Sequence, residues 1–372
     1  VCGITPYDST HLGHAATYLA YDLLIRRLED RGHRVEMVRN ITDVDDSILP
    51  KARELGVDFL ELAAEEVARF HADLAALDTR PAVAEPRATE SIAAMVAMIE
   101  QLAAAGHTYT VDGITYFDVS TFDRFGALGH YSTEEMIELA RDRGGHPDDP
   151  HQRHPLDFVL WQPSAADEPT WPTPFGDGRP GWHIECSAMA AAALGTTIDL
   201  HGGGADLVFP HHECEIAQSE SVHGATFVRH WMHCGLVAYE GTKMSKSLGN
   251  LVFVSELVKH ADPRAVRLAV TAHHNRHDRE RVDDELAAAE QRLHRWLEAA
   301  AAGAGPDPAP TLASVRAALD DDLDTPAAFD HLDDLAKSIG RHEGGDPGAG
   351  PGLIEAARLL GIDLTRPALS PD

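Results

Sequence analysis

Four side chains of types that bind metal ions stand at separated positions in this 372-residue chain. Cys186 lies 25 residues before His211, and Glu215 follows His211 by four positions. A helix that begins near His211 would place His211 and Glu215 on one face, because residues i and i+4 are neighbours on a helix surface. Thiolate, imidazole and carboxylate are zinc ligands, and Cys2 is a candidate for the fourth. The sequence therefore predicts a metal site made of Cys2, Cys186, His211 and Glu215.

The same residues also allow a purely structural interpretation. The chain has no CxxC pair. Cys186 could be a small buried core residue, as free cysteines often are, while His211 caps a helix. Additional motifs are needed to decide between the two interpretations.

Two such motifs lie on either side of the cysteine and histidine. His11-Leu12-Gly13-His14 is near the start, and Lys243-Met244-Ser245-Lys246-Ser247 continues into Leu-Gly-Asn far downstream. A lone HxxH is usually a pair of loop histidines and a lone KxxK a solvated turn, but the two motifs together are specific. They are the signatures of class I aminoacyl-adenylate-forming enzymes. With Cys186, His211 and the Asp199–Asp206 segment between them, the chain resembles the cysteinyl-tRNA synthetase group over nearly all of residues 1–300.

Composition limits the classes of partner and compartment. The formal charge is −29, from 31 basic and 60 acidic residues, whereas nucleic-acid affinity depends on Lys and Arg. No apolar run reaches 18 residues, and no signal peptide is visible. The four cysteines are too widely separated to indicate a disulfide framework, which favours a reducing cytoplasm. We expect the natural chain to extend upstream of Val1, since a parallel sheet needs a strand that leads into Cys2.

The order of predicted elements is that of an α/β protein. Apolar residues at helical spacing predict a helix from Ala15 to Leu28, and a strand is expected over 33–41. Helices are also predicted over 59–77 and 89–105, a hairpin over 108–119, a strand at 155–161, a helix carrying Cys186, strands at 198–201 and 230–238, helical structure over 255–302, and about three short helices after a Gly/Pro-rich linker at 303–310.

The family resemblance implies how these elements are grouped. It predicts a Rossmann-like class I aminoacyl-tRNA-synthetase catalytic domain with an inserted α+β segment and a C-terminal helical region. The predicted parts are a catalytic domain at 1–254 with its insertion at about 85–180, a helical stem-contact segment at 255–302, and a small C-terminal helical domain at 311–372.

The run from Asn40 to Asp46 follows a predicted strand, where ligands bind in sheets of this kind. Its Thr and Asp residues could equally cap a helix. The resemblance favours a substrate pocket. It implies that the triphosphate is handled by His11, His14, Lys243 and Lys246. It implies that cysteine and adenylate are bound by Cys2, Gly3, Ile4, Thr5, Thr17, Asn40, Ile41, Thr42, Trp182, Gly204, Ala205, Asp206 and Val237.

Two branches of the family share cysteinyl-adenylate formation and differ in the acceptor. Ile4–Asp8 and Thr10–Tyr18 together look like the first motif of the mycothiol-pathway cysteine ligases. Asp142–Pro147 resembles their Gly-Gly-Asp-Pro loop, with His146 in place of the aspartate. The short acidic tail also resembles theirs. Glu213–Glu220 points the other way, because it is close to the synthetase version. Glu215 stands where the synthetases have a zinc ligand that these ligases commonly lack.

On balance the resemblance implies a ligase that transfers cysteine from cysteinyl-adenylate to the amine of glucosaminyl-inositol. The expected cofactor is one Zn2+ per chain, with ATP and Mg2+ as substrate. No nucleic acid or membrane is expected as a partner, and we expect a monomer. Three alternatives remain: a cysteinyl-tRNA synthetase, a cysteine ligase for another amine, and a silent paralogue that binds cysteine or nucleotide. The intact signature motifs argue against the silent paralogue.

Overall fold

The structure is a computed structural model that describes residues 1–7, 10–239, 242–243, 252–280 and 284–367, with backbone alone at 239, 242 and 243. Its helices within these residues are α1 (Leu12–Asp30), α2 (Ile48–Leu55), α3 (Phe59–Ala76), α4 (Ile92–Ala104), α5 (Thr133–Asp142), α6 (Trp182–Leu194), α7 (His211–His223), α8 (Val254–Leu257), α9 (Pro263–Val270), α10 (Asp284–Ala300), α11 (Ala309–Asp320), α12 (Thr325–Gly340) and α13 (Ala349–Leu359). Its strands are β1 (Thr108–Val111), β2 (Ile114–Phe117), β3 (Phe158–Gln162), β4 (Arg179–Pro180), β5 (Ile198–Gly204), β6 (Val228–Cys234), β7 (Val237–Tyr239), β8 (Thr242–Lys243) and β9 (Arg279–Glu280).

The chain forms two compact units, each assembled from separated segments. The first unit comprises Val1–Asp8, Met37–Glu66 and Ala82–His233. The second unit comprises Ser9–Glu36, Val67–Pro81 and Cys234–Asp372. The domain boundaries expected from the sequence remain a prediction.

Parallel backbone pairing in the first unit brings its N-terminal segment beside two later segments. Ile4 pairs with Ile41, and Ile41 pairs in turn with Arg87, both in parallel. On the other side, the Cys2 amide donates to the Gly202 carbonyl of β5 over 2.9 Å. The strand expected over 33–41 is therefore reduced to bridges at Val38 and Ile41, because only this part of it has backbone partners on both sides.

The segment expected as an insertion contains a hairpin and two further strands. Strands β1 to β4 form one sheet in sequence order, and their described pairings are antiparallel. Asp112 and Gly113 both have positive φ at the turn between β1 and β2, which confirms the predicted hairpin turn. The sheet packs on α4 and α6 through a core that includes Phe117 and Trp161, both fully buried.

Apolar residues of α1 form the core of the second unit. Leu12, Ala15 and Leu19 pack with apolar side chains of β7 and α9, as their helical spacing predicts. The predicted helix thus forms, although it begins at Leu12 rather than Ala15. The predicted strand over 230–238 is instead divided between β6 and β7.

Three helices, α11, α12 and α13, follow α10 as the sequence predicts. They pack on α10 and on one another. Trp296 of α10 and Phe329 of α12 meet edge to face with ring centroids 5.8 Å apart, and the Trp296 indole donates to Asp333 over 2.7 Å. This cluster gives the C-terminal helices an apolar core of their own. Among the described residues, no helix combines the length and the apolar character that a membrane crossing requires.

A buried ion-pair network anchors the middle of α1. The Asp22 carboxylate accepts from Arg26 over 2.6 Å and from Arg267, whose guanidinium also donates to the Leu77 and Leu360 carbonyls. Asp22 and Arg267 are 2% and 1% exposed, so solvent stabilises neither charge and each depends on the other. Burial alone would raise the pKa of Asp22, but the charges of Arg267 and Arg26 outweigh it and hold this pKa below its ordinary value of 3.8.

We predict that Asp22→Asn lowers the free energy of unfolding by about 3–5 kcal/mol at neutral pH, because it leaves the Arg267 charge buried without its partner. A depressed pKa stabilises the fold above the unfolded-state value of 3.8, and this contribution is lost as the pH falls through the folded-state value. The difference between variant and wild type should therefore shrink below about pH 4. Urea titrations of both proteins at several pH values measure this difference in the free energy of unfolding.

The control is Asp320→Asn, which removes a partly exposed partner of Arg27 and should cost about 1 kcal/mol or less. Equal costs for the two substitutions would contradict the role given to the buried network.

Candidate metal and active site

Helix α7 presents an unusual set of buried polar side chains. Every residue from His211 to Ser219 is buried, and most of them are polar or charged. Buried polar groups need partners, so this helix must meet polar groups on more than one side. His211 and Glu215 share one face as predicted, and the His211 Nε2 lies 3.0 Å from Glu215 Oε1.

The four predicted metal ligands converge in the first unit. Cys2, Cys186, His211 and Glu215, here called the first ligand set, have ligand atoms that all lie within 4.8 Å of one another. Cys2 Sγ is 3.5 Å from Glu215 Oε1, and the Cys186 sulfur accepts from the Asn40 side-chain amide over 3.2 Å. All four side chains are buried. Such crowding of two sulfurs, an imidazole and a carboxylate suits a divalent cation, which would neutralise their charges.

Two histidines that the sequence analysis did not select complete a second set on the same centre. His201 on β5 and His212 on α7 join Cys2 and Glu215, again with ligand atoms within 4.8 Å of one another. This is here called the second ligand set. Cys2 Sγ lies 3.3 Å from His212 Nε2 and 3.7 Å from His201 Nε2. The adjacent pair His211-His212 is visible in the sequence. The sequence alone does not show in which direction the His212 side chain points.

His211 and His212, the first two residues of α7, each lie against another imidazole. His211 Nδ1 lies 2.8 Å from His183 Nδ1, and His212 Nδ1 lies 2.7 Å from His233 Nε2. The Nε2 atoms are thereby left facing the ligand sets. A second imidazole in this position fixes the orientation of a metal-binding histidine. Trp182 stacks on His211, with ring centroids 4.1 Å apart, and limits its rotation further.

The close contacts within the cluster shift the pKa values of its members. The Cys186 thiol donates to Cys2 Sγ, which lowers the pKa of Cys2 well below its ordinary value and raises that of Cys186. Burial alone would lower the pKa of His201, but the charges of Glu215 and Cys2 raise it to about 9. For His211, bonds to Cys2 and Glu215 overcome burial and raise the pKa to about 10. A metal ion would take the place of these protons.

The predicted pocket residues near Cys2 are brought together by the parallel pairing. The Gly3 amide donates to Asn40 Oδ1 over 2.9 Å, and the Thr5 and Thr42 hydroxyls are 2.7 Å apart. The Thr42 amide donates to the Ile4 carbonyl over 3.0 Å. Gly3, Ile4, Thr5, Asn40, Ile41 and Thr42 thus lie together along two paired backbone segments next to Cys2.

The acidic part of the 40–46 run has structural partners. Asp43 accepts from the Thr89 amide over 2.9 Å and from its hydroxyl over 2.8 Å. Asp45 accepts from the Ser47 amide over 2.7 Å just before α2. Ser47 is the N-cap of α2 and its side chain makes no capping hydrogen bond, so the capping role considered from the sequence is not found. These two carboxylates therefore hold the turn, whereas the Thr42 hydroxyl lies near the Thr5 hydroxyl and the Ile4 carbonyl.

Gly202, Gly203 and Gly204 end strand β5 instead of forming a loop. A Cβ on Gly203 would lie 2.7 Å from a Leu207 methyl group and 3.5 Å from the Cys2 Cβ, so the absence of a side chain lets β5 pass close to Cys2. Ala205 and Asp206 continue into a short 3-10 turn, and the Asp206 carbonyl accepts from Arg143 over 2.8 Å.

The first signature motif opens α1 in the second unit. His11 is the N-cap, and its Nδ1 accepts from the Gly13 amide over 3.1 Å. The His11 and His14 rings stack with centroids 3.9 Å apart. Thr17 lies one turn further and donates to the Gly13 carbonyl over 3.3 Å, and Val237 is buried in β7. Both histidines therefore stand at a helix N-terminus, where anions bind favourably.

The second signature motif is only partly described. Lys243 is in β8, whose backbone pairs with β7, and Lys246 lies outside the described residues.

Comparison with known proteins places this site in a family. Residues 1–291 match the family described as "tRNA synthetases class I (C) catalytic domain". The fold is also that of the Mycobacterium tuberculosis methionyl-tRNA synthetase in complex with methionyl-adenylate, with a TM-score of 0.69 and 17% identity over 96% of this chain and 88% of that one. A leucyl-tRNA synthetase ternary complex from Agrobacterium radiobacter K84 gives a TM-score of 0.70 at 11% identity, over 97% and 83% of the two chains. The chain therefore belongs to the class I aminoacyl-tRNA synthetase catalytic-domain family, and its Rossmann-like α/β fold is confirmed.

Within that family, curated relatives of one kind match almost the whole chain. A protein from Streptosporangium roseum is 49% identical over 98% of this chain and 90% of its own length. One from Gordonia bronchialis is 48% identical over 97% and 89%. Each is named L-cysteine:1D-myo-inositol 2-amino-2-deoxy-alpha-D-glucopyranoside ligase. The resemblance to the cysteine ligases is confirmed at this level.

We predict that Gly3→Ala disrupts the site, because the new Cβ would lie 1.6 Å from the Asn40 carbonyl oxygen. The backbone between Cys2 and the 38–42 segment would have to separate, at a cost of about 1–3 kcal/mol or more. Denaturant titration and metal content of the purified variant measure this effect.

Gly340→Ala is the matched control, since its Cβ meets no atom within 4 Å at the end of α12. It should be neutral or slightly stabilising. Wild-type stability and metal content in Gly3→Ala would contradict the close approach.

Proposed function

We propose that this chain is an ATP-dependent ligase that activates L-cysteine as cysteinyl-adenylate and transfers it to the amine of glucosaminyl-inositol. The observation that carries the proposal is the near full-length identity of 46–49% to relatives named as this ligase. The convergence of Cys2, Cys186, His211 and Glu215 supports it. A metal ion held by these residues would bind the thiol of cysteine better than the hydroxyl of serine.

The metal we propose for the first ligand set is zinc. Two sulfurs, one imidazole nitrogen and one carboxylate oxygen form a donor set that zinc accepts, while magnesium and calcium prefer oxygen alone. With Glu215 either the fourth ligand or bonded to a bound water, a zinc ion held here would accept a substrate thiolate in place of the water or a weak ligand. A serine hydroxyl is a much poorer ligand, so the ion would select cysteine without an editing domain. The residues around it orient the ligands: His183 holds His211, and Asn40 bonds to Cys186.

His11, His14, Lys243 and Lys246 are proposed to bind the triphosphate of ATP, with Mg2+ bridging its phosphates. The two histidines stand at the N-terminus of α1, where the helix dipole and ring N–H groups favour negative charge. Such contacts stabilise a reaction when they strengthen as charge develops on the phosphates. Thr17 and Val237 are proposed to lie near the nucleotide. The paired segments Gly3–Thr5 and Asn40–Thr42, with Trp182 and Gly204–Asp206, are proposed to lie near cysteine and adenylate.

The proposed reaction proceeds in two transfers. A carboxylate oxygen of cysteine attacks the α-phosphorus of ATP, the bond to the β-phosphate oxygen breaks, and pyrophosphate leaves. The neutral amine of glucosaminyl-inositol then attacks the carbonyl carbon, an amide bond forms, and AMP leaves with the electron pair of the broken C–O bond. The proton lost by the nitrogen passes to a base or to solvent.

The C-terminal helices favour a small acceptor over tRNA. RNA-reading surfaces combine exposed aromatics with accessible cations. Phe329, the one aromatic from residue 311 onward, is 1% exposed. Arg316 pairs with Asp30, Arg341 with Glu343, and Lys337 with Asp334. We propose that 255–302 and 311–372 are helical parts without an RNA-reading role.

A cytoplasmic monomer is also proposed. The four free, buried cysteines are suited to a reducing compartment.

We predict that His14→Ala and Lys246→Ala lower the rate of adenylate formation by roughly a hundredfold or more and change cysteine affinity little, because both side chains are assigned to charge that develops on the phosphates. Cysteine-dependent exchange of pyrophosphate into ATP measures the rate, and equilibrium dialysis with cysteine measures the affinity. His230→Ala, at an exposed position on β6, is the control and should exchange normally. Normal exchange in His14→Ala or Lys246→Ala would show that the motif is assigned wrongly.

The acceptor is tested directly with labelled cysteine. Purified protein with ATP and Mg2+ is offered glucosaminyl-inositol in one reaction and cysteine tRNA in another, while AMP release and product mass are followed. We expect an amide of the amino sugar and no charged tRNA. Charging of tRNA without reaction of the amino sugar would replace the ligase by the synthetase alternative, and reaction with neither would overturn both.

A further inference from the structure

The segment Asp142–Pro147 contains a sequence motif that has no role in the function proposed above. In the structure it follows helix α5, whose C-cap is Arg143. We propose that Arg143 is a positioning residue for the substrate pocket, and that it acts by holding the turn that contains Asp206. The inference rests on the proposed function, because Asp206 is assigned there to cysteine and adenylate.

The guanidinium of Arg143 binds the backbone at both ends of that turn. Its Nη1 donates to the Asp206 carbonyl over 2.8 Å and also to the Phe209 carbonyl. One nitrogen therefore holds together two carbonyl groups that lie three positions apart in the chain. Hydrogen bonds from a charged donor are about twice as strong as those between neutral groups. Both partners of Arg143 among the described residues are backbone carbonyls, so no carboxylate of that part of the chain competes for its guanidinium.

The arginine two positions earlier has a different environment. Arg141 forms an ion pair with Asp148 over 3.1 Å, and the two side chains are 49% and 80% exposed. Exposed ion pairs of this kind contribute little to structure. Arg141 is therefore a matched control for Arg143, with the same side chain on the same helix end and no contact with the turn.

The turn between β5 and α7 depends on contacts from outside itself. Ala205–Val208 is a single short 3-10 turn, which has few hydrogen bonds of its own. Phe209 is 1% exposed, and a buried carbonyl needs a partner, which Arg143 provides. The Phe209 ring meets Phe125 and Tyr131 edge to face, with centroids 6.1 and 6.3 Å away. The segment between β2 and β3 thus holds both the ring and the carbonyl.

The end of α5 fixes the backbone at Arg143. Gly144 has a φ of +85°, and the Gly145 amide donates to the Ala140 carbonyl over 2.8 Å. Such a bond closes the C-terminus of a helix. A Cβ on Gly145 would lie 2.9 Å from the Ala140 oxygen, so this position favours glycine. The two glycines of the motif therefore determine where the preceding arginine leaves the helix.

A displaced turn would move Asp206 relative to the bound substrate. A displacement of about 1 Å within a site can cost roughly a hundredfold in rate. Arg143 bonds to the backbone of the turn, so its influence on cysteine passes through the position of Asp206. Loss of Arg143 should therefore weaken the binding of cysteine while the metal content of the protein stays unchanged.

The test compares Arg143→Ala, Arg143→Lys and the control Arg141→Gln in cysteine-dependent exchange of pyrophosphate into ATP. We expect Arg143→Ala to raise the KM for cysteine roughly tenfold or more and to change kcat less, because a contact of the bound substrate is displaced. Arg143→Lys keeps a cation on a shorter side chain and should be intermediate. Arg141→Gln should match the wild type.

A double-mutant cycle separates positioning from general support of the fold. If Arg143 acts through Asp206, then Arg143→Ala should raise the KM for cysteine little further in a protein that already contains Asp206→Asn. A role in stability alone would give independent effects that multiply. Circular dichroism and elemental analysis of each variant measure folding and metal content.

The possible failures are distinguishable. A wild-type KM in Arg143→Ala, or effects of Arg143→Ala and Asp206→Asn that multiply, would overturn the inference and leave the proposed ligase intact. Loss of folding or of metal in both Arg143→Ala and Arg143→Lys would make Arg143 a structural residue and would also overturn it. A wild type without cysteine-dependent exchange would overturn the proposed function, and the inference with it.

Discussion

The site depends on one constraint: several ionisable side chains are buried together with almost no exposure to solvent. His211, His212 and Glu215 are at most 1% exposed, and Cys2 and His201 are 6% and 5% exposed. Each group can keep its charge or proton only because another member of the cluster balances it. This mutual dependence explains why α7 can be polar on several faces and still lie within the core. It also explains why both the parallel pairing at Cys2 and the end of β5 must be placed accurately.

The part of the site that follows local geometry could be predicted from the sequence. The i, i+4 spacing of His211 and Glu215 fixes their relation on any helix, and Cys186 stands on a helix, α6, as the sequence predicts. Cys2 could be proposed from its residue type, but its position beside the other ligands could not be derived from local geometry. Its approach to α7 is produced by backbone pairing with β5 and with residues 38–42, across nearly 200 positions of chain. His201 was missed for the same physical reason.

Helices with continuous apolar stripes could be predicted from the sequence. Features that depend on ion pairs or backbone pairing between distant segments could not. The stripe of α1 agrees with its packing, as does the Asp112-Gly113 hairpin turn. The stretch 33–41 has the composition of a strand, yet it pairs only near its end, because partner backbone is present only there. The burial of Asp22 against Arg267 joins residues 245 positions apart. No periodicity in the sequence contains that information.

The metal centre and the acceptor are separate questions. A cluster that binds the thiol of cysteine serves the first transfer, which is the same whether the second goes to an amine or to a ribose hydroxyl. Glu215 therefore carries little information about the acceptor, although it resembles the synthetase pattern. In this chain it contacts His201 and His211 at once, so its role within the cluster is sufficient reason for a carboxylate there. Evidence about the acceptor lies instead in the C-terminal helices, where the single aromatic is buried and Arg316 is engaged by Asp30 of α1.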